Sequence, residues 1–355
     1  MRRIKHLILT FGFIFFCAVL LELKAEDFLS SWRNGVAKQA IMNFVHSTVD
    51  PESPNFISSE ERIAVFDQDG TLWVEQPIYT QVRYCLDRVA SLVNEHPEWR
   101  NEEPFKTVLT GNPSAIANLS TSDLKKIAAA TLTGMSVDQF KKEVKQWIKS
   151  ARDPRWNKLY TDLTYLPMQE VLHYLRANDY KTYIVTGGGQ DFVRVYSQET
   201  YGIPPEQVVG TATGVTFEYD QAGRPFLTKD PRLLLNDNYA GKPEGIHLVI
   251  GSQPFTAFGN SIGDRQMLEY TKSGKGNRLA MLVLHDDPER EYAYGPANGL
   301  PNSNVGTFTQ ALYDEAKNNG WIIISMKNDW KRVFSWDFTS SVETNERTKD
   351  IKPAS

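Results

Sequence analysis

The chain has 355 residues, and 41% of them are apolar, which is enough for a substantial hydrophobic core in one large domain or two moderate ones. Its formal net charge is -4 at pH 7, and lysine and arginine are spread along the chain rather than clustered. Nucleic-acid-binding proteins carry a basic surface, so this composition argues against a nucleic-acid partner.

The first 25 residues are predicted to be a signal peptide. The basic start MRRIKH is followed by the apolar run LILTFGFIFFCAVLLEL, which ends just before Lys24 and Ala25. This is the pattern of a secretory signal, and the run is shorter than the roughly 20 residues that span a membrane. We therefore expect cleavage and export to the periplasm or the outside of the cell. The alternative is membrane anchoring by an uncleaved segment.

Helical patterns surround the first predicted strand. Residues 26–60 are predicted to be a helical segment, because apolar residues recur at helical spacing until the proline-containing break PESP. RIAVFD, at residues 62–67, is a β-branched and aromatic run typical of a strand buried on both faces. From 77 to 165 no strand signal occurs, and the chain is predicted to form a helical insertion, with SVDQ as one capping sequence.

Strand and helix signals alternate after residue 165. KTYIVT, FTAFG, RLAMLVL and WIIIS are predicted strands with helices between them, GGG at 187–189 is a predicted tight turn, and QDFVRVYSQETYG is a predicted helix. Two further strand-like runs flank DQAG and predict a hairpin. The alternation predicts an α/β fold with a doubly wound parallel sheet. The predicted units are a core at 61–76 and 166–330, the helical insertion at 77–165, and a disordered polar tail within 331–355.

Polar residues follow several predicted strands, and the carboxyl ends of parallel strands meet at one edge of a sheet. The residues concerned are Asp67 and Asp69 in FDQDGT, Thr186 in TGGG, Lys242 at the start of a predicted helix, and Asn260 and Asp264 in GNSIGD. We expect these side chains to lie together. HDDPEREY, at residues 285–292, also follows a strand, and is interpreted as a loop with charge pairs because it lacks the spacing of a metal site.

These four groups, in this order, resemble the motifs of the haloacid dehalogenase superfamily, most closely its phosphoserine-phosphatase-like branch. The resemblance covers about residues 61–330. It implies a Rossmann-like core with a helical cap inserted after the first strand, and a cap of this kind selects substrates. It also implies a Mg²⁺-dependent phosphatase that acts on a small phosphomonoester.

The residue types suit that chemistry, because a phosphomonoester dianion repels an anionic nucleophile unless cations neutralise the charge. Asp67 is the predicted nucleophile and would form an aspartyl-phosphate, while Asp69 would act as general acid and base. Asp69 also favours a phosphatase over a dehalogenase, since halide leaves without a proton. The predicted phosphate ligands are Thr186, Gly187, Gly188 and Lys242.

The fourth group departs from the family pattern, because Asn260 stands where relatives have an acid. Asparagine still offers a neutral oxygen to a hard cation, so we expect Mg²⁺ to bind, more weakly than usual. The predicted ligands are Asp67, the backbone carbonyl of Asp69, Asn260 and Asp264.

Trp73, Glu75 and Gln76 follow the nucleophile and are predicted to face the substrate. In phosphoserine phosphatases a glutamate at the position of Gln76 reads the substrate amine, whereas here the acid stands one residue earlier. We therefore expect a broader range of small phosphomonoesters. Two alternatives remain open: a phosphotransferase or mutase of the same fold, and a non-catalytic binding protein that has kept the fold. The sequence indicates no oligomeric state.

Overall fold

The computed structural model describes residues 28–337, and within them seven strands form a single sheet. The strands are β1 Ile63–Phe66, β2 Lys181–Gly189, β3 Val208–Tyr219, β4 Pro225–Leu235, β5 Thr256–Gly259, β6 Leu279–Leu284 and β7 Ile322–Ser325. Their order is β4-β3-β2-β1-β5-β6-β7, with β3 and β4 antiparallel and the other neighbours parallel. The predicted doubly wound α/β sheet is confirmed. The strand order reverses beside β1, which is where such folds place their sites.

Helices cover both faces of the sheet. Those within residues 28–337 are α1 Val36–Val49, α2 Thr80–Leu92, α3 Phe105–Leu109, α4 Pro113–Ala117, α5 Thr121–Leu132, α6 Val137–Ile148, α7 Leu166–Arg176, α8 Gln190–Arg194, α9 Ser197–Tyr201, α10 Gly241–Val249, α11 Arg265–Lys272, α12 Gln310–Asn318 and α13 Met326–Asp329. No helix in this part of the chain is both long enough and apolar enough to cross a membrane.

The hydrophobic core lies on both faces of the sheet, because side chains alternate along a strand. Ala64 and Phe66 of β1 belong to one core cluster, and Ile63 and Val65 belong to the other. All four are buried, which explains the uninterrupted apolar run in the sequence. Helices α10, α11 and α12 cover the face of Val65, while α1, α7 and the helical insertion cover the opposite face.

The chain between β1 and β2 is helical, and it packs against the element that follows β2. Tyr84 of α2 lies 6.3 Å from Phe140 of α6 and 5.4 Å from Phe192 of α8, measured between ring centroids. The β3–β4 hairpin supports the same helices, since the backbone N–H of Lys229 donates to the carbonyl of Met135. The insertion is therefore held from two sides, close to the carboxyl end of β2.

Two local predictions after β2 are wrong in detail. The glycines of GGG do not form a separate turn, because β2 runs through them and its register with β3 shifts between Thr186 and Gly189. Such a bulge bends a strand end and redirects its peptide groups. QDFVRVYSQETYG forms two short helices, α8 and α9, rather than one.

The start of the predicted tail is ordered. Val333 and Phe334 are buried, and the backbone N–H of Leu166 donates to the carbonyl of Val333. The aromatic and aliphatic residues of VFSW allow this packing. The rest of the predicted tail and the predicted signal peptide lie outside the described residues.

Candidate active site

The residues selected from the sequence lie together at the carboxyl ends of β1, β2 and β5. Asp67 follows β1 directly, Thr186 is the sixth residue of β2, and Asn260 follows β5. Lys242 stands in the first turn of α10 and is 1% exposed. The parallel register of these three strands brings the segments to one edge of the sheet.

Lys242 joins an acid of the first group to the acid of the fourth. Its Nζ donates to Asp67 Oδ1 and to Asp264 Oδ1, each at 2.6 Å, and to the carbonyl of Val185 at 2.7 Å. Burial lowers the pKa of Lys242, but the attraction of Asp264 and Asp67 outweighs it and raises the pKa overall. The ammonium group therefore stays charged and has an acceptor for each of its three protons.

Several carboxyl groups share this single ammonium, and their pKa values rise. Burial, and then the nearby Asp264, raise the pKa of Asp67 against the pull of Lys242. Burial also raises the pKa of Asp69 to about 6, and that of Asp237, which the sequence did not single out, to about 7. A buried excess of acid is unfavourable, so the site favours an additional cation or protonation.

Trp73 holds the second acid of the first group. Its Nε1 donates to Asp69 Oδ1 at 2.7 Å, and its ring stacks on Tyr196 with centroids 5.1 Å apart. Trp73 is 1% exposed, so it does not line an open cleft as predicted. Its role in this structure is to fix the direction of the Asp69 carboxyl group.

The glycine segment after Thr186 is held by side chains on both sides. Thr186 Oγ1 accepts from the N–H of Gly188 at 3.0 Å, and Gln81 Oε1 accepts from the N–H of Gly189 at 2.6 Å. Gly187 is exposed. Gln81 belongs to α2 of the insertion and was not predicted, because no sequence period links it to the glycines.

Glu75 is buried and Gln76 is half-buried, and both side chains make hydrogen bonds to other parts of the protein. Glu75 is 2% exposed, and its Oε1 accepts from Asn260 Nδ2 at 2.6 Å and from the hydroxyl of Tyr294 at 2.8 Å. Gln76 Nε2 donates to Ser303 Oγ at 2.7 Å. Burial raises the pKa of Glu75 well above its usual value. The expectation that the two side chains face the substrate stays a prediction.

Asp264 has a different position from that of a simple metal ligand. Its Oδ1 accepts from Lys242, and its Oδ2 accepts from the backbone N–H groups of Asn260 at 2.9 Å and Ser261 at 3.0 Å. Both oxygens therefore already have donors. Asp264 shapes the loop that carries Asn260 and orients Lys242.

A divalent cation fits the donor set, although no three His, Cys, Asp or Glu side chains of residues 28–337 group as a metal site. The predicted set differs from such a group because it includes an amide and a backbone carbonyl. Hard oxygen donors beside an excess of carboxylates suit Mg²⁺. Asp67, the carbonyl of Asp69 and the Oδ1 of Asn260 are the groups that would hold it, and magnesium binding stays a prediction.

His285 supports the turn that follows Asp69, and the sequence interpretation missed it. Its Nε2 lies 2.8 Å from the carbonyl oxygen of Gly70, and its Nδ1 lies 3.0 Å from Glu291 Oε2. A carbonyl only accepts, so Nε2 must carry the donated proton. Both side chains are buried, which a loop of surface charge pairs would not require. The available signal was a histidine directly after a buried strand, β6, at the same edge of the sheet.

Replacing His285 with phenylalanine is expected to lower the free energy of unfolding by about 1–3 kcal/mol, because the Gly70 carbonyl and Glu291 lose a buried partner. Urea denaturation of the variant beside the wild type measures the change. His247→Phe is the matched control, since His247 is exposed on α10 and should change stability by no more than about 0.5 kcal/mol. Equal stability of the two variants would contradict the role assigned to His285.

The comparisons with known proteins identify one family. The haloacid dehalogenase-like hydrolase family matches residues 64–269. No curated protein matches the chain. Similar solved structures include a protein of unknown function from Bordetella pertussis, with a TM-score of 0.45, 14% identity, and coverage of 74% of this chain and 98% of that chain. A functionally unknown protein from Anaerococcus prevotii has a TM-score of 0.43, 15% identity, and coverage of 71% and 86%. A phosphoserine phosphohydrolase-like protein from Francisella tularensis has a TM-score of 0.36, 16% identity, and coverage of 63% and 88%.

Proposed function

The chain belongs to the haloacid dehalogenase-like hydrolase family, whose match spans more than half of it, and from this premise we propose a phosphatase that hydrolyses small phosphomonoesters. The observation that carries the proposal is the contact of Lys242 Nζ with Asp67 Oδ1 at 2.6 Å, beside the half-buried Asp69. A carboxylate, a neighbouring acid and a fixed ammonium are what nucleophilic attack on a phosphate dianion needs.

The proposed reaction has two steps. Asp67 attacks phosphorus, the bond from phosphorus to the ester oxygen breaks, and Asp69 gives its proton to the leaving alkoxide. Asp69 then removes a proton from water, which attacks the aspartyl-phosphate, releases inorganic phosphate and restores Asp67. The pKa of Asp69, raised to about 6 by burial, leaves both protonation states accessible near neutral pH. Trp73 binds Oδ1 of Asp69 and leaves its Oδ2 for proton transfer.

The remaining groups would neutralise charge and hold the phosphate. The proposed phosphate ligands are Thr186, Gly187, Gly188 and Lys242. Lys242 would act through its charge, because its three protons already have acceptors, and the N–H of Gly188 would exchange Thr186 Oγ1 for a phosphate oxygen. Mg²⁺, when bound, would reduce the repulsion between the nucleophile and the phosphate dianion. Asp67, the Asp69 carbonyl and Asn260 would hold it, with Asp264 supporting their loop.

We also propose that the protein is exported. The support for this is the composition of residues 1–25, in which a basic start precedes an apolar run and a small residue. An uncleaved segment would instead anchor the same enzyme to a membrane.

The leaving group provides the sharpest test of the proposed acid. With Mg²⁺ present, the wild type should hydrolyse p-nitrophenyl phosphate and glycerol phosphate, and EDTA should abolish both activities. Asp69→Asn should lower kcat/KM by about 10²–10⁴-fold for glycerol phosphate, whose alkoxide needs a proton. It should change kcat/KM for p-nitrophenyl phosphate by less than about tenfold, because nitrophenolate leaves unprotonated.

The two substrates control for each other, since a general loss of folding would lower both values together. Equal losses of kcat/KM for the two substrates would contradict the proposed role of Asp69 as the general acid. A wild-type protein that hydrolyses neither substrate would overturn the proposed function and leave the non-catalytic alternative. Hydrolysis that persists in EDTA would contradict only the proposed requirement for Mg²⁺.

A further inference from the structure

Asn260 has two chemically different ends, and only one of them can bind a cation. Its Oδ1 is an acceptor, whereas its Nδ2 carries protons and repels a metal ion. Rotating the amide by half a turn would exchange these ends with almost no change of shape. A metal site that relies on this residue therefore needs neighbours that determine which end faces the ion.

Two neighbours specify the same orientation. Glu75 Oε1 lies 2.6 Å from Asn260 Nδ2 and also accepts from the hydroxyl of Tyr294, so it acts as an acceptor toward the amide. At the other end, the Thr71 hydroxyl donates to Asn260 Oδ1 at 3.3 Å. The NH₂ group is therefore directed at Glu75, and Oδ1 is directed to the side of the nucleophile turn.

The backbone is shaped around that carboxyl oxygen. Gly70 has φ of +74° and Gly306 has φ of +64°, and a Cβ at either position would overlap Glu75 Oε1. Because glycine has no Cβ, both residues adopt a positive φ without strain and leave room for the Glu75 carboxyl group. The segment around Gly306 is held in place by a hydrogen bond, in which the N–H of Gly306 donates to the hydroxyl of Tyr79 at 3.2 Å. Glu75 is thus enclosed by loops from two distant parts of the chain.

The same contact explains why residue 260 is an asparagine. An aspartate there would replace the N–H donor of the amide by an acceptor and set it against Glu75 Oε1, which is itself an acceptor toward Tyr294. With asparagine, the pair has one donor and one acceptor. Asn260 and Glu75 are therefore complementary as donor and acceptor. Replacing Asn260 with an acceptor removes this hydrogen bond unless Glu75 is replaced by a donor.

We propose that Glu75 is a positioning residue, which holds the Asn260 amide with Oδ1 toward the metal. This role rests on the proposed metal site, and it differs from the substrate contact expected of Glu75. Glu75 acts through Asn260 and touches neither substrate nor ion. Its removal changes the affinity for Mg²⁺ before any step of catalysis.

Titration calorimetry of the metal-free full-length protein with MgCl₂ tests this role without measuring activity. Glu75→Leu, which removes the acceptor, should weaken Mg²⁺ binding by about 10–100-fold, as outer-shell substitutions do. Glu75→Gln should rescue most of the affinity, because its Oε1 still accepts from Asn260 Nδ2. The reversed pair, Glu75→Gln with Asn260→Asp, should bind at least as tightly as the wild type, since the amide introduced at position 75 can donate to the new carboxylate.

Glu170→Leu is the matched control, because Glu170 is a partly buried acid that accepts from Ser31, and it should leave the Mg²⁺ affinity unchanged. Wild-type affinity in Glu75→Leu overturns the inference. A wild-type protein that binds no Mg²⁺ also overturns the inference. The proposed phosphatase activity would still stand in that case if the protein hydrolyses p-nitrophenyl phosphate in EDTA.

The reversed pair keeps the inference testable if Glu75→Leu unfolds without metal. Asn260→Asp alone should then lower the urea midpoint in EDTA at pH 8, and adding Glu75→Gln should restore it. A midpoint that the second change does not restore overturns the pairing of the two residues.

Discussion

Replacing Asp67 with asparagine is expected to lower kcat for p-nitrophenyl phosphate on the order of 10⁴–10⁶-fold, the scale seen when a covalent nucleophile is removed. The amide keeps the shape of the side chain and can still accept from Lys242 Nζ, which lies 2.6 Å from Asp67 Oδ1. It cannot form the aspartyl-phosphate. Rapid-quench and steady-state assays with Mg²⁺ measure the loss.

The same substitution should stabilise the metal-free protein. Burial and Asp264 raise the pKa of Asp67, so this carboxyl group contributes to stability at acid pH, and the contribution is lost as the pH rises through the folded-state pKa. Asparagine has no charge to bury. Urea denaturation in EDTA should therefore show a gain of at least about 1 kcal/mol at pH 8, with a smaller gain at pH 5.

Asp191→Asn is the matched control for both measurements, because Asp191 pairs with another buried lysine, Lys229, away from the nucleophile. It should keep kcat close to the wild-type value and should lower stability rather than raise it. An Asp67→Asn enzyme with more than a few per cent of wild-type kcat would show that another group attacks phosphorus.

The sequence predicted the centre of the candidate site, because its residues follow from local patterns. Asp67 and Asn260 each come directly after a short buried strand, and Lys242 opens a helix between predicted strands. Once the sheet is parallel, its topology brings such positions to one edge. No knowledge of long-range side-chain contacts was needed for that part.

The supporting contacts could not be predicted in the same way. Tyr294 and Glu75 are 219 positions apart, and His285 and Gly70 are 215 apart, so no period or spacing connects them. The register shift in the glycine segment likewise depends on pairing with β3, which follows later in the chain. These features arise from tertiary packing, and packing overrides local propensity.

Asn260 shows how such a contact changes the interpretation of a motif. In the sequence it was a missing acid and implied a weaker metal site. The structure places a buried acid, Glu75, 2.6 Å from its amide nitrogen, so an acid contacts Asn260 rather than occupying position 260. Whether the affinity for Mg²⁺ is reduced then depends on Glu75, which the motif does not include.

Lys242→Met is expected to have the largest effect on stability, because it removes the cation between two buried carboxylates. Asp67 loses its contact with Nζ, and Asp264 keeps only the backbone N–H groups of Asn260 and Ser261. Breaking a buried ion pair in this way costs about 3–5 kcal/mol. The loss should be greatest at pH 8 and should shrink at pH 5, where the raised pKa of Asp67 allows it to bind a proton. Phosphatase activity should disappear as well, since the nucleophile and the phosphate would repel each other.

Lys229→Met is the control that distinguishes the loss of Lys242 from the loss of a buried lysine elsewhere in the protein. Lys229 is also buried, pairs with Asp191 and lies 4.7 Å from the ring centre of Phe140. Its loss should lower stability, but with less dependence on pH, because Asp191 is partly exposed and can be hydrated when unpaired. It should leave kcat nearly unchanged. If urea denaturation gave both variants the same pH dependence, the excess of buried acid around Lys242 would not govern the stability of this site.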